Sequence, residues 1–172
     1  MKHTLKFFLS RLLIKLHLSK FFVINQKYYN LRFYPSILSR ELWINPHYLE
    51  IYWKYRTDFF WKYLLPGDVV VDVGSHIGTV TLESAAKVGN TGKIYSIEAH
   101  PKIFNFLNGN ISLNKFKNTQ TFNLALGNES KIVTISDLHT DPSNVIISAN
   151  TGIKVQMKKL DDLPIPESRV TL

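Results

Sequence analysis

The residues best suited to chemistry follow a short apolar run in the middle of the chain. The run VVVDV occupies residues 69–73, and the segment GSHIG follows it at residues 74–78. A β-branched apolar run predicts a buried parallel strand, because helices cover both faces of such a sheet. Glycine lets the chain turn tightly and lets a ligand approach the backbone. Ligands of open α/β sheets bind beyond the carboxyl ends of the strands, so this turn predicts a ligand site.

The glycine spacing indicates what kind of ligand the turn accepts. Gly74 and Gly78 are spaced G-x-x-x-G, whereas the dinucleotide fingerprint that cradles a pyrophosphate is G-x-G-x-x-G. Asp72 adds a negative charge beside the turn, which disfavours a pyrophosphate and suits a cationic ligand. S-adenosylmethionine carries both an ammonium and a sulfonium, so it fits this turn better than NAD does. An NAD-dependent oxidoreductase is therefore the lowest-ranked of the functions considered.

A second carboxylate follows the next predicted strand. Glu98 ends the segment GKIYSIE, one intervening helix and one strand after Gly74. An acid about 20 residues beyond a glycine turn is the group that binds ribose hydroxyls in nucleotide-binding folds, and the spacing here is close to that. The sequence therefore predicts an S-adenosylmethionine site whose binding residues are Asp72, Gly74, Ser75, Gly78 and Glu98.

Alternating strands and helices must position these residues. A helix is predicted to start near Pro101, with Asn110 and Asn114 at its surface or end, and a third strand is predicted over residues 121–126. The resulting order β-α-β-α-β with short links predicts an α/β fold, a Rossmann-like doubly wound and mainly parallel sheet. Alternating segments at 131–136 and 152–157, with 144–148 between them, predict an antiparallel insertion. Residues 169–172 then open a fourth parallel strand.

The same segments resemble a known family, the FkbM-type methyltransferases, which belong to the class I S-adenosylmethionine-dependent enzymes. The resemblance rests on PGDVVVDVGSHIGTVTL, IEAHPKIFNFLNGNISLN, ALGNES and KKLDDL, and it covers roughly residues 65–163 in register. It implies that Asp72, Gly74 and Gly78 line the methionine side of the cofactor and that Glu98 binds its ribose. It also implies an O-methyltransferase whose acceptor is a hydroxyl of a small molecule or glycan.

The sequence departs from the family pattern at two places. In the family a proline usually follows the acid directly, as Glu-Pro, whereas here Glu98 is followed by Ala99-His100-Pro101. Ser75-His76 stands where Ala-Asn is commoner. His76 is a tempting general base, but a histidine in such a turn is more often a packing residue, so no catalytic residue is assigned. In the resembled family an acidic segment follows the fourth strand. We therefore expect the chain to be the N-terminal half of the domain, a fragment or truncated product, with a non-catalytic binding or interaction module as the alternative function.

Charge divides the chain into two parts. The net charge is +8; residues 1–63 hold 11 Lys and Arg against 3 Asp and Glu, whereas residues 64–172 hold 10 of each. We therefore predict a basic, aromatic-rich helical segment over 1–63 and the methyltransferase domain over 64–172. Cysteine is absent, which excludes disulfides, thiolate metal sites and a cysteine nucleophile, and no metal site is predicted.

The basic segment opens with a predicted amphipathic helix. Its apolar stripe consists of Leu5, Phe8, Leu9, Leu12, Leu13 and Leu16. Two interpretations stay open: a helix over residues 1–24 on an anionic membrane surface, and a helix that caps the domain core, which we favour. Charges interrupt the stripe too often for a transmembrane span or a signal peptide, so the expected location is cytoplasmic, with membrane-peripheral binding as the variant. Nucleic-acid binding is not expected, because no recognition motif accompanies the basic residues. A second helix is predicted from Asn45 to Leu64.

Overall fold

The structure is a computed structural model that describes residues 2–48, 62–137, 144–148, 151–165 and 170–171. The chain forms two compact units, residues 1–63 and 64–172. The predicted helix from Asn45 to Leu64 falls largely on residues 49–61, outside the described residues.

The first unit combines two helices with a small hairpin. Helix α1 spans Lys2–Lys15, a 3-10 turn spans Ser19–Phe21, strands β1 (Val23–Asn25) and β2 (Asn30–Arg32) pair antiparallel, and helix α2 spans Ile37–Ile44. The Ser36 hydroxyl caps α2 by accepting a hydrogen bond from the Ser39 amide, which satisfies one of the amides that the first helical turn leaves free. The Phe33 and Trp43 rings stack with centroids 5.0 Å apart. No helix of the described residues is both long and apolar enough to cross a bilayer.

The second unit is built on a parallel sheet of four strands: β3 (Val69–Val73), β4 (Lys93–Ile97), β5 (Thr119–Phe122) and β10 (Val170–Thr171). Their order in the sheet is β10-β3-β4-β5. Val73 pairs with Ile97, so β3 and β4 end at the same level. The chain moves outward from β3 to β5 and later returns to pair β10 with the other edge of β3. That reversal beside β3 is the topological switch point at which open α/β sheets bind ligands.

Two helices connect the parallel strands. Helix α3 spans Thr79–Val88 between β3 and β4, and helix α4 spans Pro101–Asn114 between β4 and β5. Proline suits the first turn of α4 because that position has no intrahelical use for an amide hydrogen. On the sheet face away from α3, a core cluster consists of Val71, Tyr95, Ile97, Leu124 and Leu163. The predicted fold class, a Rossmann-like α/β domain with an N-terminal helical segment, is confirmed.

The remaining strands form a second sheet: β6 (Ala125–Leu126), β7 (Lys131–Ile135), β8 (Ile146–Ile147) and β9 (Ile153–Lys158). Their order in the sheet is β6-β9-β7-β8. β7 pairs antiparallel with both β8 and β9, as predicted for the insertion. The prediction of a single strand over residues 121–126 is wrong, because β5 ends at Phe122 and β6 belongs to the second sheet. The Asn123 side chain donates to the carbonyls of Glu98 and Ala99 at this break.

Candidate functional site

The site is built around the turn between β3 and α3. The amides of Gly74 and Ser75 both donate to the carbonyl of Ile97, at 2.9 and 3.0 Å, so the turn is bonded to the end of β4. Gly74 has φ +74° and Gly78 has φ +93°, which is the left-handed region that side chains disfavour. A Cβ at Gly78 would lie 2.8 Å from Leu107 of α4, whereas a Cβ at Gly74 would meet no atom within 4 Å. Gly78 therefore packs against a helix, and Gly74 faces open space.

Glu98 connects this turn to the start of α4. Its Oε2 accepts from the His76 amide at 2.9 Å and its Oε1 accepts from the His100 amide at 2.8 Å. The residue is only 8% exposed. Burial raises the pKa of Glu98 above the ordinary glutamate value, even though the two amide donors act to lower it. The carboxylate is thus held in one orientation at the carboxyl end of β4.

Asp72 lies on the helix side of the sheet, behind the turn. The Thr81 hydroxyl lies 2.5 Å from Asp72 Oδ2 and 2.9 Å from the Ser96 hydroxyl. The Ser75 hydroxyl donates to the Asp72 carbonyl at 2.9 Å. All four side chains are buried. Asp72 therefore ties β3, β4 and α3 together below the site.

A cavity of about 230 Å³ opens where β3 and β4 end. Its walls come from the turn, the end of β4, the start of α4 and the second sheet; they are formed by Val73, Gly74, His76, Ile97, Glu98, Ala99, His100, Ile103, Leu124, Ala125, Leu126, Ile135 and Asn144. Two of the five predicted binding residues, Gly74 and Glu98, thus line the cavity. The other three, Asp72, Ser75 and Gly78, lie in or behind the turn and are not among its walls.

His100 is the site residue that the sequence did not single out. Its side chain is 3% exposed, and its Nε2 lies 3.3 Å from Asp137 Oδ1. Its Nδ1 is buried and has no hydrogen-bond partner among the described residues. A polar atom in that state costs free energy unless a ligand or water satisfies it. The available signal was its position two residues after the predicted ribose-binding acid, directly before α4.

Asn110 was expected at the surface, and that expectation is wrong. It is fully buried in α4, and its Nδ2 donates to the Ile77 carbonyl at 2.8 Å. A buried amide needs partners, and here one partner is the backbone of the glycine turn. Helix α4 therefore holds the turn from behind, through Asn110 and through the contact of Leu107 with Gly78.

A glycine turn after the first parallel strand, an acid at the end of the second and a strand-order reversal beside them define the class. The domain is Rossmann-like and of the methyltransferase type, in which the crevice beyond the strands holds the cofactor. A family model, that of the TRM5/TYW2 methyltransferase domain, matches residues 59–149, more than half of the chain. The chain therefore belongs to the TRM5/TYW2 methyltransferase family, whose members depend on S-adenosylmethionine, and the predicted cofactor is confirmed at that level. The finer FkbM-type resemblance stays a prediction.

Several solved structures are similar to parts of the chain. The crystal structure of P. horikoshii TYW2 in complex with MeSAdo is 32% identical over 41% of this chain and 26% of its own length, with a TM-score of 0.36. A SAM dependent methyltransferase from Aquifex aeolicus is 24% identical over 56% of this chain and 49% of its own, with a TM-score of 0.41. Aeropyrum pernix fibrillarin with natively bound S-adenosyl-L-methionine is 18% identical over 42% and 32%, with a TM-score of 0.35. The chain spans less than half the length of each.

The residues around the cavity fit part of this cofactor. Glu98 offers a fixed carboxylate, and Gly74 leaves open space where a side chain would project. The unpartnered Nδ1 of His100 offers a polar atom, and Ile103, Leu124 and Ile135 supply apolar wall. Pockets for whole drug-sized ligands measure about 300–1,000 Å³. At about 230 Å³ the cavity lies below that range.

Proposed function

We propose that the protein to which this chain belongs is a methyltransferase, and that this chain supplies its S-adenosylmethionine-binding half. The observation that carries the proposal is the pair of glycine turn and buried Glu98 at the switch point of the sheet, with the cavity directly above them. When bound, S-adenosylmethionine supplies an electrophilic methyl group on a sulfonium. The protein contributes alignment and, for a hydroxyl acceptor, a base.

Glu98 is proposed to bind the ribose. An ionised carboxylate has about four lone-pair positions on its two oxygens. The amides of His76 and His100 use one position on each oxygen. One position per oxygen is then left for the two neighbouring ribose hydroxyls. The amide donors fix the orientation of the carboxylate before the ligand arrives, which lowers the entropic cost of binding.

Gly74 is proposed to let the cofactor lie against the backbone of the turn. The proposed contribution of Asp72, Ser75 and Gly78 is different: they shape the turn from behind, and Asp72 adds a negative charge that attracts the cationic methionine end. Asp72 is only 7% exposed and accepts from Thr81. Its charge therefore acts through a low-dielectric interior, where electrostatic attraction is stronger than in water.

For the methyl acceptor we propose a hydroxyl of a small molecule or glycan. The support is the FkbM-type resemblance in four blocks of sequence between residues 65 and 163. His76 is among the cavity walls, but we assign it no catalytic role.

RNA is the second candidate acceptor. The excess of 11 basic over 3 acidic residues in residues 1–63 favours it, because clustered Lys and Arg supply the phosphate contacts that dominate nucleic-acid affinity. The two candidates differ in what carries the transferred label, so one assay separates them.

Calorimetric titration of the chain with S-adenosylmethionine and with NAD tests the cofactor half. We expect saturable binding of the first only; no binding of either would favour the non-catalytic binding module. The intact protein is then incubated with cofactor labelled in its methyl group and with cell extract. Label in base-stable, nuclease-resistant glycan or small-molecule fractions supports the hydroxyl acceptor, whereas label in RNA that nuclease releases contradicts it.

A further inference from the structure

Helix α1 carries an exposed apolar face. Leu5, Leu9 and Leu12 repeat at intervals of four and three residues, which places them on one side of the helix, and Leu16 follows directly after its last residue. Phe8 lies beside them, one turn from Leu5 and Leu12. Leu5 is 71% exposed, Phe8 63% and Leu12 50%. Of the predicted stripe, only Leu13 is buried.

The buried face of α1 is a different one. Ser10 and Leu13 are buried, and the Lys6 ammonium lies 3.4 Å from the carbonyl of Ile44 at the end of α2. The guanidinium of Arg40 on α2 lies over the Phe7 ring, 5.6 Å from its centroid. The helix therefore packs in its own unit through one side and presents the leucine face on the other. The prediction that this helix caps the domain core stays a prediction.

Basic side chains border the exposed face. Arg11 and Lys15, one turn apart, follow Phe8 and Leu12 by three residues each, and both are exposed. Beyond the helix the same arrangement continues, because Leu18, Phe21 and Phe22 are exposed around the exposed Lys20. An apolar band flanked by cations is the pattern of helices that lie in the plane of a membrane. The cations reach the lipid phosphates while the apolar side chains enter the acyl boundary.

We propose that α1, together with the segment through Phe22, docks the chain on an anionic phospholipid surface. The helix lies parallel to the surface with Leu5, Leu9 and Leu12 toward the acyl chains. RNA fits this face less well, because its phosphates would meet a band of leucines and the leucines would stay exposed to water. The net positive charge of residues 1–63, with 11 basic against 3 acidic groups, matches anionic lipid.

The experiment uses sedimentation of the whole chain with vesicles of phosphatidylcholine and phosphatidylglycerol at 7:3, compared with phosphatidylcholine alone. The main variant is Leu9→Ser/Leu12→Ser, which removes apolar surface without changing charge. Its matched control is Ile132→Ser/Val145→Ser, because those two residues are 60% and 57% exposed in the second unit. We expect the vesicle partition coefficient to fall about tenfold or more in the main variant and to stay unchanged in the control.

A charge variant tests the other half of the pattern. Arg11→Gln/Lys15→Gln is expected to lose the preference for anionic over neutral vesicles, and added salt is expected to weaken binding of the unaltered chain. Circular dichroism checks that each variant keeps its helix content; a second pair, Leu5→Ser/Phe8→Ser, replaces the first if it does not. Equal vesicle binding by the serine variants and the unaltered chain overturns the proposal. The proposal is also overturned if the unaltered chain binds RNA but not vesicles, and the Leu9→Ser/Leu12→Ser variant binds RNA equally well.

Discussion

The glycine turn of the second unit and helix α1 of the first place their apolar and charged groups in opposite ways. Around the turn, both carboxylates are buried and each has hydrogen-bond donors from elsewhere in the domain. On α1, Leu5, Leu9 and Leu12 are exposed, and Arg11 and Lys15 beside them face solvent. Buried charges with fixed partners make a preorganised small-molecule site, whereas exposed apolar side chains beside cations make a surface that acquires its partner from outside. Four changes test the first half of this contrast.

The largest effect is expected at Glu98. The two oxygens of Glu98 accept hydrogen bonds from the backbone amides of His76 and His100. Glu98→Gln leaves one carbonyl oxygen to accept, and its NH2 group faces the other amide donor and repels it. We expect the dissociation constant for S-adenosylmethionine to rise about a hundredfold, as for the loss of hydrogen bonds to a charged group. Calorimetry measures it. Glu129→Gln, the same change at an exposed residue, is the control, and equal affinity in the two variants would show that Glu98 does not hold the cofactor.

The next largest effect concerns the buried Thr81 hydroxyl, which donates a hydrogen bond to Asp72. Thr81→Val keeps the shape but removes the donor that lies 2.5 Å from Asp72 Oδ2. A buried charge that loses a donor costs about 2 kcal/mol of unfolding free energy. Ser84→Ala on the same helix is the control, because the Ser84 hydroxyl is buried with no partner among the described residues. Urea denaturation should separate the two variants; similar losses would contradict the role given to Asp72.

A smaller effect is expected from Gly74→Ala. The residue has φ +74° and a Cβ there meets no protein atom, so the methyl group projects into open space at the cavity. We expect cofactor affinity to fall about tenfold, beside a stability loss of about 1 kcal/mol from the left-handed backbone. Gly89→Ala is the control for affinity: Gly89 also has a positive φ, +67°, and open space around its Cβ, and it lies after α3 and outside the cavity walls. If both variants bind the cofactor equally well, Gly74 does not contact it.

The smallest effect is a pH dependence with opposite signs for stability and binding. Because burial raises the pKa of Glu98, the folded chain binds the proton of this acid more tightly than the unfolded chain does. Its contribution to stability is therefore present below the ordinary glutamate pKa of about 4.3 and is lost as the pH rises through the raised value. Ribose binding needs the carboxylate, so affinity should increase several-fold over the same rise. Thermal melts and titrations at pH 4 to 7 measure both; Glu98→Gln should flatten both profiles, and parallel trends in the unaltered chain would contradict the assignment.

The extent to which the sequence predicts this structure varies with the range of the interactions. The β-branched run at residues 69–73 and the proline at the start of α4 predict their elements, because strand and helix preferences are local. The strand predicted over 121–126 failed because Asn123, between β5 and β6, bonds to carbonyls after β4. That contact depends on which segments meet in space. Similarly, nothing near Asn110 in the sequence indicates that its partner is Ile77, which lies before α3 and β4 in the chain.

The sequence by itself determined the order of strands and helices from β3 to β5, the glycine turn, the acid that ends the next strand and the concentration of positive charge in residues 1–63. These follow from residue types and spacings that act over a few neighbours. Only the tertiary structure decided that Gly74 and Glu98 line the cavity while Asp72 lies behind the turn, that His100 joins the site, and that the leucine stripe of α1 is exposed. Periodicity places a side chain on one face of its element, but what that face meets depends on the packing of distant segments.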